Sequence, residues 1–244
     1  MKLSIVIPAY EEETKISEDV KVAADFLVHH SLNGEIIVAD DGSGDDTSGA
    51  AKRAIANCPA GVAGQVLANR KHLGKGHAVS KGIKASAGDY VLFVDSGNCI
   101  PYSFALDAVK LLKDDSCDIV HASRKLSESN ILRYPPLIRR GLSWLFHVVS
   151  KAFMGIPGRF TDSQCGFKMY KGDIARQLYR QCQTDGFMFD IEVMLRALKQ
   201  GYRIKEIPVD WTCDRDSRLL KTRSFWEIFG ELVRIRKMSG VKPD

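Results

Sequence analysis

The six cysteines, Cys58, Cys99, Cys117, Cys165, Cys182 and Cys213, stand far apart and form no Cys-x-x-Cys pair. A structural zinc site is therefore not supported, and free, mostly buried thiols are expected. No run approaches the roughly 20 consecutive apolar residues that a membrane-spanning helix needs. Even residues 141–155 are interrupted by Ser143, His147, Ser150 and Lys151. The start, Met1-Lys-Leu-Ser-Ile-Val-Ile-Pro8, runs directly into a strand pattern and lacks the apolar core and cleavage site of a signal peptide, so a cytosolic protein is expected. Internal repeats and low-complexity linkers are also missing, which leaves one ordinary folded chain and not an array of units.

What is present fits that picture. The chain has 244 residues, 45% of them hydrophobic, with charges of both signs throughout, enough to bury one substantial core. The net charge of +5 is modest but unevenly spread. Arg133, Arg139 and Arg140 precede an apolar helical pattern, and residues 215–242 are basic, which points to an anionic partner.

The centre of the pattern is Asp89-Tyr-Val-Leu-Phe-Val-Asp95, a short apolar run bounded by turn residues that reads as a strand buried on both faces. Ser96-Gly-Asn98 and Pro101 follow as turn formers. Asp95 then either caps a helix starting near Pro101 or stands at a ligand site, because in open α/β sheets ligands gather beyond the carboxyl ends of strands. Other strands are expected over Leu3 to Pro8, Glu35 to Asp40, Gln65 to Ala68, Cys117 to Ala122 and Tyr202 to Trp211. Helices are expected over Ile16 to Ser31, Ala50 to Ala56, His77 to Ala87, Ser103 to Lys113, Leu137 to Met154, the stretch ending near Cys182, and Phe225 to Lys237. Residues 127–136 read as a polar loop. This alternation predicts an α/β fold: a mostly parallel sheet with helices on both faces, plus an appended helical and loop segment. Tyr10, Asp40, Asp41, Arg70, Lys75 and Asp95 all fall at or just past strand ends. Asp190 and Glu192 stand at the start of a helix, where carboxylates can also serve only as partners of the helix dipole.

Six stretches carry a resemblance, in this order: Val6-Ile-Pro-Ala-Tyr-Glu-Glu12, Ile37-Val-Ala-Asp-Asp-Gly-Ser43, Gly74-Lys-Gly-His-Ala-Val79, Gly88-Asp-Tyr-Val-Leu-Phe-Val-Asp95, Asp162-Ser-Gln-Cys-Gly-Phe-Lys168 and Phe189-Asp-Ile-Glu192. From Leu3 to about Trp211 the chain resembles the family 2 nucleotide-sugar glycosyltransferases, and within them the branch that transfers glucose or mannose to polyprenyl (dolichyl) phosphate. The resemblance implies a GT-A, Rossmann-like fold and an inverting transfer from an NDP-sugar, a UDP- or GDP-hexose. It implies a donor half over residues 1–125 and an acceptor half over 126–244. Pro8, Ala9, Tyr10 and Glu12 would line the nucleotide pocket, and Asp41 would accept from the base. Gly74-Lys75-Gly76 precedes a helix, so its backbone can approach the diphosphate while Lys75 neutralises it; Arg218 and Lys221 would add charge there. Asp162, Gln164, Asp190 and Glu192 would face sugar and acceptor beside Asp95.

The family's central strand normally ends in Asp-x-Asp, whose second carboxylate holds a Mg2+ or Mn2+ ion on the diphosphate. Here that position is Gly97, and Asp95 is the one carboxylate left for a divalent cation. Partners implied are the NDP-sugar, a polyprenyl phosphate and the cytosolic face of a membrane, not nucleic acid. A soluble glycan acceptor and a non-catalytic nucleotide-sugar-binding module are the alternatives. Cys165 is expected to pack, not react, since no His lies near it in sequence.

Overall fold

The computed structural model of the protein describes residues 2–134, 151–213 and 225–239. Its strands are β1 (Lys2–Ala9), β2 (Asn33–Asp40), β3 (Val62–Ala68), β4 (Tyr90–Val94), β5 (Ile119–Ser123), β6 (Asn130–Arg133), β7 (Phe167–Lys171), β8 (Ile204–Pro208) and β9 (Asp210–Thr212). Its helices are α1 (Ile16–His29), α2 (Thr47–Ala56), α3 (Lys75–Ala85), α4 (Phe104–Lys113), α5 (Gly172–Gln181), α6 (Phe189–Lys199) and α7 (Phe225–Ser239).

Seven strands form one sheet in the order β3-β2-β1-β4-β7-β5-β8. Neighbours run parallel except β7, which is antiparallel to both β4 and β5. The central strands are apolar throughout because alternate residues enter different cores. Leu3, Ile5 and Ile7 of β1, Ile36 and Val38 of β2, and Leu92 and Val94 of β4 pack with α1, α2 and α4. Val6, Ile37, Val91 and Phe93 point to the other face, against α3, α5 and α6. Each such fully buried aliphatic side chain contributes about 1.5–3 kcal/mol from removal of apolar surface from water. A third cluster joins Met188, Ile191 and Met194 to Ile228, Leu232 and Ile235 of α7.

Three differences from the sequence expectation stand out, the first being β7, a buried strand between β4 and β5 where none is expected. The stretch expected as a polar loop contains β6, and the long strand expected over Tyr202 to Trp211 divides into β8 and β9. β6 and β9 pair in parallel as a separate ribbon, and Val209 N–H, between β8 and β9, donates to Ser129 Oγ at 3.2 Å. β6 is short and mostly exposed, so no core-facing alternation marks it. The apolar pattern at 137–154 lies mostly outside the described residues. Among the described residues, no helix is long and apolar enough to cross a membrane. Their cysteines are all free, with Cys117, Cys165 and Cys213 buried.

The sheet opens where the site lies. β1 pairs with β4 only as far as Val6 with Phe93, yet continues beside β2 to Ala9 with Asp40. Pro8, which has no N–H to give, sits beyond the point where β4 has ended. Antiparallel β7 brings its first residues, Phe167 and Lys168, alongside Val94 and Phe93.

Candidate active site

The carboxyl ends of β1, β2, β4 and β5 and the start of β7 converge on one edge, and each supplies polar groups. Tyr10, just past β1, places its ring 4.1 Å from the His72 ring, centroid to centroid. Glu12 N–H donates to Thr47 Oγ1 at 2.8 Å, and the Glu12 carboxylate faces Lys15 at 3.9 Å. Asp40 turns back on its own loop, accepting from Ser43 Oγ at 2.6 Å and from the Ser48 hydroxyl.

Asp41 is buried, and its acceptor sites are occupied. Oδ1 accepts from Asn69 Nδ2 at 2.9 Å and Leu73 N–H at 3.1 Å; Oδ2 accepts from Gly74 N–H at 2.7 Å and faces His72 Nδ1 at 2.9 Å. A carboxylate offers about four lone-pair sites. A nucleobase edge can therefore meet Asp41 only by displacing one of these groups, and its evident duty here is to hold loop 69–74 against β2. We expect Asp41→Ala to weaken nucleoside diphosphate binding at least about tenfold, through loss of charge-assisted bonds of about 1.5–3 kcal/mol that fix the approach to Lys75. Calorimetric titration of the folded variant measures this; unchanged affinity would remove the loop from the site.

Gly74 enters α3 with φ 121°, a conformation that favours glycine. The open helix start expected for the diphosphate is not available. Leu73 and Gly74 N–H go to Asp41, Gly76 N–H donates to Gly186 O at 3.2 Å, and His77 N–H donates to Asp185 O at 3.1 Å. Backbone that already has partners cannot cradle an anion without giving them up. What α3 delivers instead is the Lys75 side chain, whose Nζ lies 2.7 Å from Asp95 Oδ1. Burial alone would lower the pKa of this ammonium, but the charges of Asp95 and Asp190 raise it above the ordinary lysine value.

Asp95 does not cap α4: its N–H donates to Gly166 O at 2.9 Å, and its carboxylate meets Lys75. Gly166 has no room for a side chain, because a Cβ there would lie 2.0 Å from Asp95 Oδ2. The following turn has positive φ at Gly97 (90°) and Asn98 (48°). From below, both oxygens of Asp19 on α1 accept the Gly97 N–H at 3.0 Å. Burial raises the Asp19 pKa to about 6 in spite of that amide.

Two further ion pairs complete the edge. Arg124, just past β5, grips Asp162 with Nε–Oδ2 at 2.6 Å and Nη2–Oδ1 at 2.9 Å, and its guanidinium lies 5.2 Å from the Trp211 ring centre. Burial pushes the Asp162 carboxyl up, but the Arg124 charge and hydrogen bonds hold it well below the usual range. Lys168 Nζ donates to Asp190 Oδ1 and to Cys165 O, each at 2.7 Å. Burial raises the Asp190 pKa, and the Lys168 and Lys75 charges restrain the rise. His121 lies in the same region, and burial, reinforced by the Lys168 charge, pushes its pKa well below the ordinary value, keeping it neutral. Gln164 Nε2 is buried without a hydrogen-bond partner among the described residues. Cys165 is pushed up to about 12 by burial, so it packs and does not react.

The remaining expected site residue, Glu192, has its carboxylate engaged by its own neighbourhood. It accepts from Gln183 N–H at 3.0 Å, Thr184 N–H at 2.7 Å and Arg196 Nε at 2.7 Å, fastening loop 182–184 to α6. Two residues along an α-helix turn the direction by about 200°, so Asp190 and Glu192 cannot share a face. Arg218 and Lys221 lie outside the described residues. Arg124, Lys168 and Asp19 are new to the site; of these, Arg124 could have been found in the sequence as the residue just past another strand end.

The family model described as Glycosyl transferase family 2 matches residues 4–179. The chain belongs to this family. It is thus a glycosyltransferase with the GT-A sheet expected from its motifs. It is 30% identical over 243 residues to a dolichyl-phosphate beta-glucosyltransferase of Dictyostelium discoideum, covering 96% of this chain and 73% of that one. It is 28% identical to the human dolichyl-phosphate beta-glucosyltransferase, covering 98% and 76%. The glucosyl-3-phosphoglycerate synthase of Mycobacterium tuberculosis, solved with Mn2+ and UDP-glucose, superposes with a TM-score of 0.67 at 19% identity, covering 99% of this chain and 80% of that one.

Proposed function

We propose that this family 2 glycosyltransferase moves a hexose, glucose in the first instance, from a nucleoside diphosphate sugar to a polyprenyl phosphate of the dolichyl kind, with inversion at the anomeric carbon. Residues 1–125 supply most of the donor site and residues 126–244 most of the acceptor site, with Arg124 and Lys125 at the boundary between them. The names of relatives that span nearly the whole chain support the substrate class. The observation that carries the reading is the state of the carboxylates. Asp95, Asp162 and Asp190 are each already held by a cation, at 2.7, 2.6 and 2.7 Å. A hydroxyl acceptor needs a free base within reach to take its proton. A phosphate monoester has a second pKa near 6, is ionised at neutral pH and brings its own nucleophile.

Lys75 faces the leaving diphosphate, Arg124 and the neighbouring Lys125 face the incoming phosphate, and the Gln164 amide is free for a sugar oxygen. The work of the site is then orientation of two anions and stabilisation of the leaving group. Arg133, exposed on the β6–β9 ribbon, would meet the anionic face of a membrane.

A thermal-shift comparison of UDP-, GDP- and dTDP-hexoses tests the donor reading. A ligand at 100 times its dissociation constant adds about 2.7 kcal/mol, a rise of roughly 5–10 °C for a chain of this size. UDP-glucose is the expected strongest stabiliser; no response to any of them would overturn the reading.

A further inference from the structure

The relatives' chemistry and the structural neighbour's Mn2+ raise the question of whether these residues suit a divalent cation. They do not. Mg2+ demands near-octahedral oxygen ligation, and Mn2+ likewise favours carboxylate, carbonyl and water ligands. At the end of β4 the one carboxylate, Asp95, is paired with Lys75 at 2.7 Å. Gly97 offers no ligand, and its φ of 90° disfavours the aspartate that the family carries there. The nearest replacement, Asp19, is turned under the turn and holds the Gly97 amide. Among the described residues no group of three or more His, Cys, Asp or Glu is placed to hold a metal ion.

Resting on the donor reading above, we propose that Lys75 supplies the charge that a metal ion supplies elsewhere in the family, and that this chain binds nucleoside diphosphates without a divalent cation. Among the described residues, three cations at the edge are paired with a carboxylate, and of these only Lys75 is both partly exposed and held by a single ion-pair bond. The Lys168 side chain is 1% exposed and bonded twice, and Arg124 is locked bidentately on Asp162. The Lys75 side chain is 24% exposed, with its one ion pair to Asp95. The rings of Phe93 and Phe187, 5.6 and 6.0 Å from Nζ, flank the ammonium and limit its hydration. The amides on either side of it are already bonded to Asp41, Asp185 and Gly186. Among the described residues, neutralisation of the diphosphate therefore falls to the Lys75 side chain, with Asp95 orienting it until the anion arrives.

The test is calorimetric titration of the whole chain with UDP and GDP, once in EDTA and once in excess Mn2+. Dissociation constants within about threefold of one another are expected, with Lys75→Gln weakening both at least about tenfold and Lys75→Arg restoring part of the loss. Binding lost in EDTA and regained with Mn2+ would overturn the proposal and leave the donor reading intact. No binding under either condition would overturn both. The comparison of the unaltered protein with and without metal decides the question even if Lys75→Gln fails to fold.

Discussion

Asp190→Ala is expected to cost about 3–5 kcal/mol of folding stability, the penalty for leaving a buried ion without its partner. Lys168 would then be stranded: its side chain is 1% exposed, and its remaining bond is to Cys165 O. At roughly 2–4 °C per kcal/mol for a chain of this size, the melting midpoint should fall by about 6–20 °C. Removing both charges together should be far milder, since buried pairs replaced by apolar groups of similar volume are often neutral or better. Thermal melts of Asp190→Leu, Lys168→Met and the double variant test this as a cycle. Additive losses would show that the two side chains are not coupled. The pair joins β7 to α6 across the crevice, so its loss should also disturb Lys75, whose charge Asp190 supports.

Arg124→Lys is expected to lower transfer to polyprenyl phosphate by about a hundredfold and to leave affinity for UDP unchanged. Lysine keeps a positive charge beside Asp162, so the buried carboxylate is not abandoned, but it cannot supply two parallel N–H bonds in a fixed fork. With Nε and one Nη2 hydrogen given to Asp162, Arg124 has its Nη1 hydrogens and the second Nη2 hydrogen left for the phosphate, and loss of one such aligned donor at a reacting anion is worth about 10²–10³ in rate. The contact of the Arg124 guanidinium with Trp211, 5.2 Å from the ring centre, is lost as well. Steady-state rates with polyprenyl phosphate as the varied substrate, set beside UDP titration of the same protein, separate the two effects. A parallel loss of UDP affinity would move Arg124 to the donor side.

The fold was legible wherever burial imposes a period on the sequence. Central strands such as Tyr90–Val94 are apolar because both faces are covered, and the helices between them carry apolar residues at helical spacing. β6 escaped notice because most of its side chains are exposed and nothing selects an alternation, and the break between β8 and β9 left no mark in the one strand expected there. The edge of the sheet was legible too, since Asp41, Lys75 and Asp95 follow strands whose ends had to lie together. Partnership was not. Whether a carboxylate faces substrate or its own loop depends on which amides come within 3 Å of it, and sequence carries no such distance. Asp41 and Glu192 are clamps for that reason. The separation of Asp190 from Glu192 could have been read from helix geometry alone. Lys168 could not, because its place at the site depends on β7 running antiparallel, and a strand of five residues does not declare its direction. Gly97 is a different case: its replacement of a carboxylate was visible in the sequence, but the positive φ and the bond to Asp19 were not.

Incubation of the purified chain with radiolabelled UDP-glucose or GDP-hexose and polyprenyl phosphate in liposomes, followed by organic extraction, is the most direct measurement of what the site does. Label in the organic phase as an acid-labile glycosyl phosphate, in the anomeric configuration opposite to the donor's, is the expected result. Label remaining wholly in the aqueous phase, as intact donor, free hexose or a water-soluble glycoside, would contradict it.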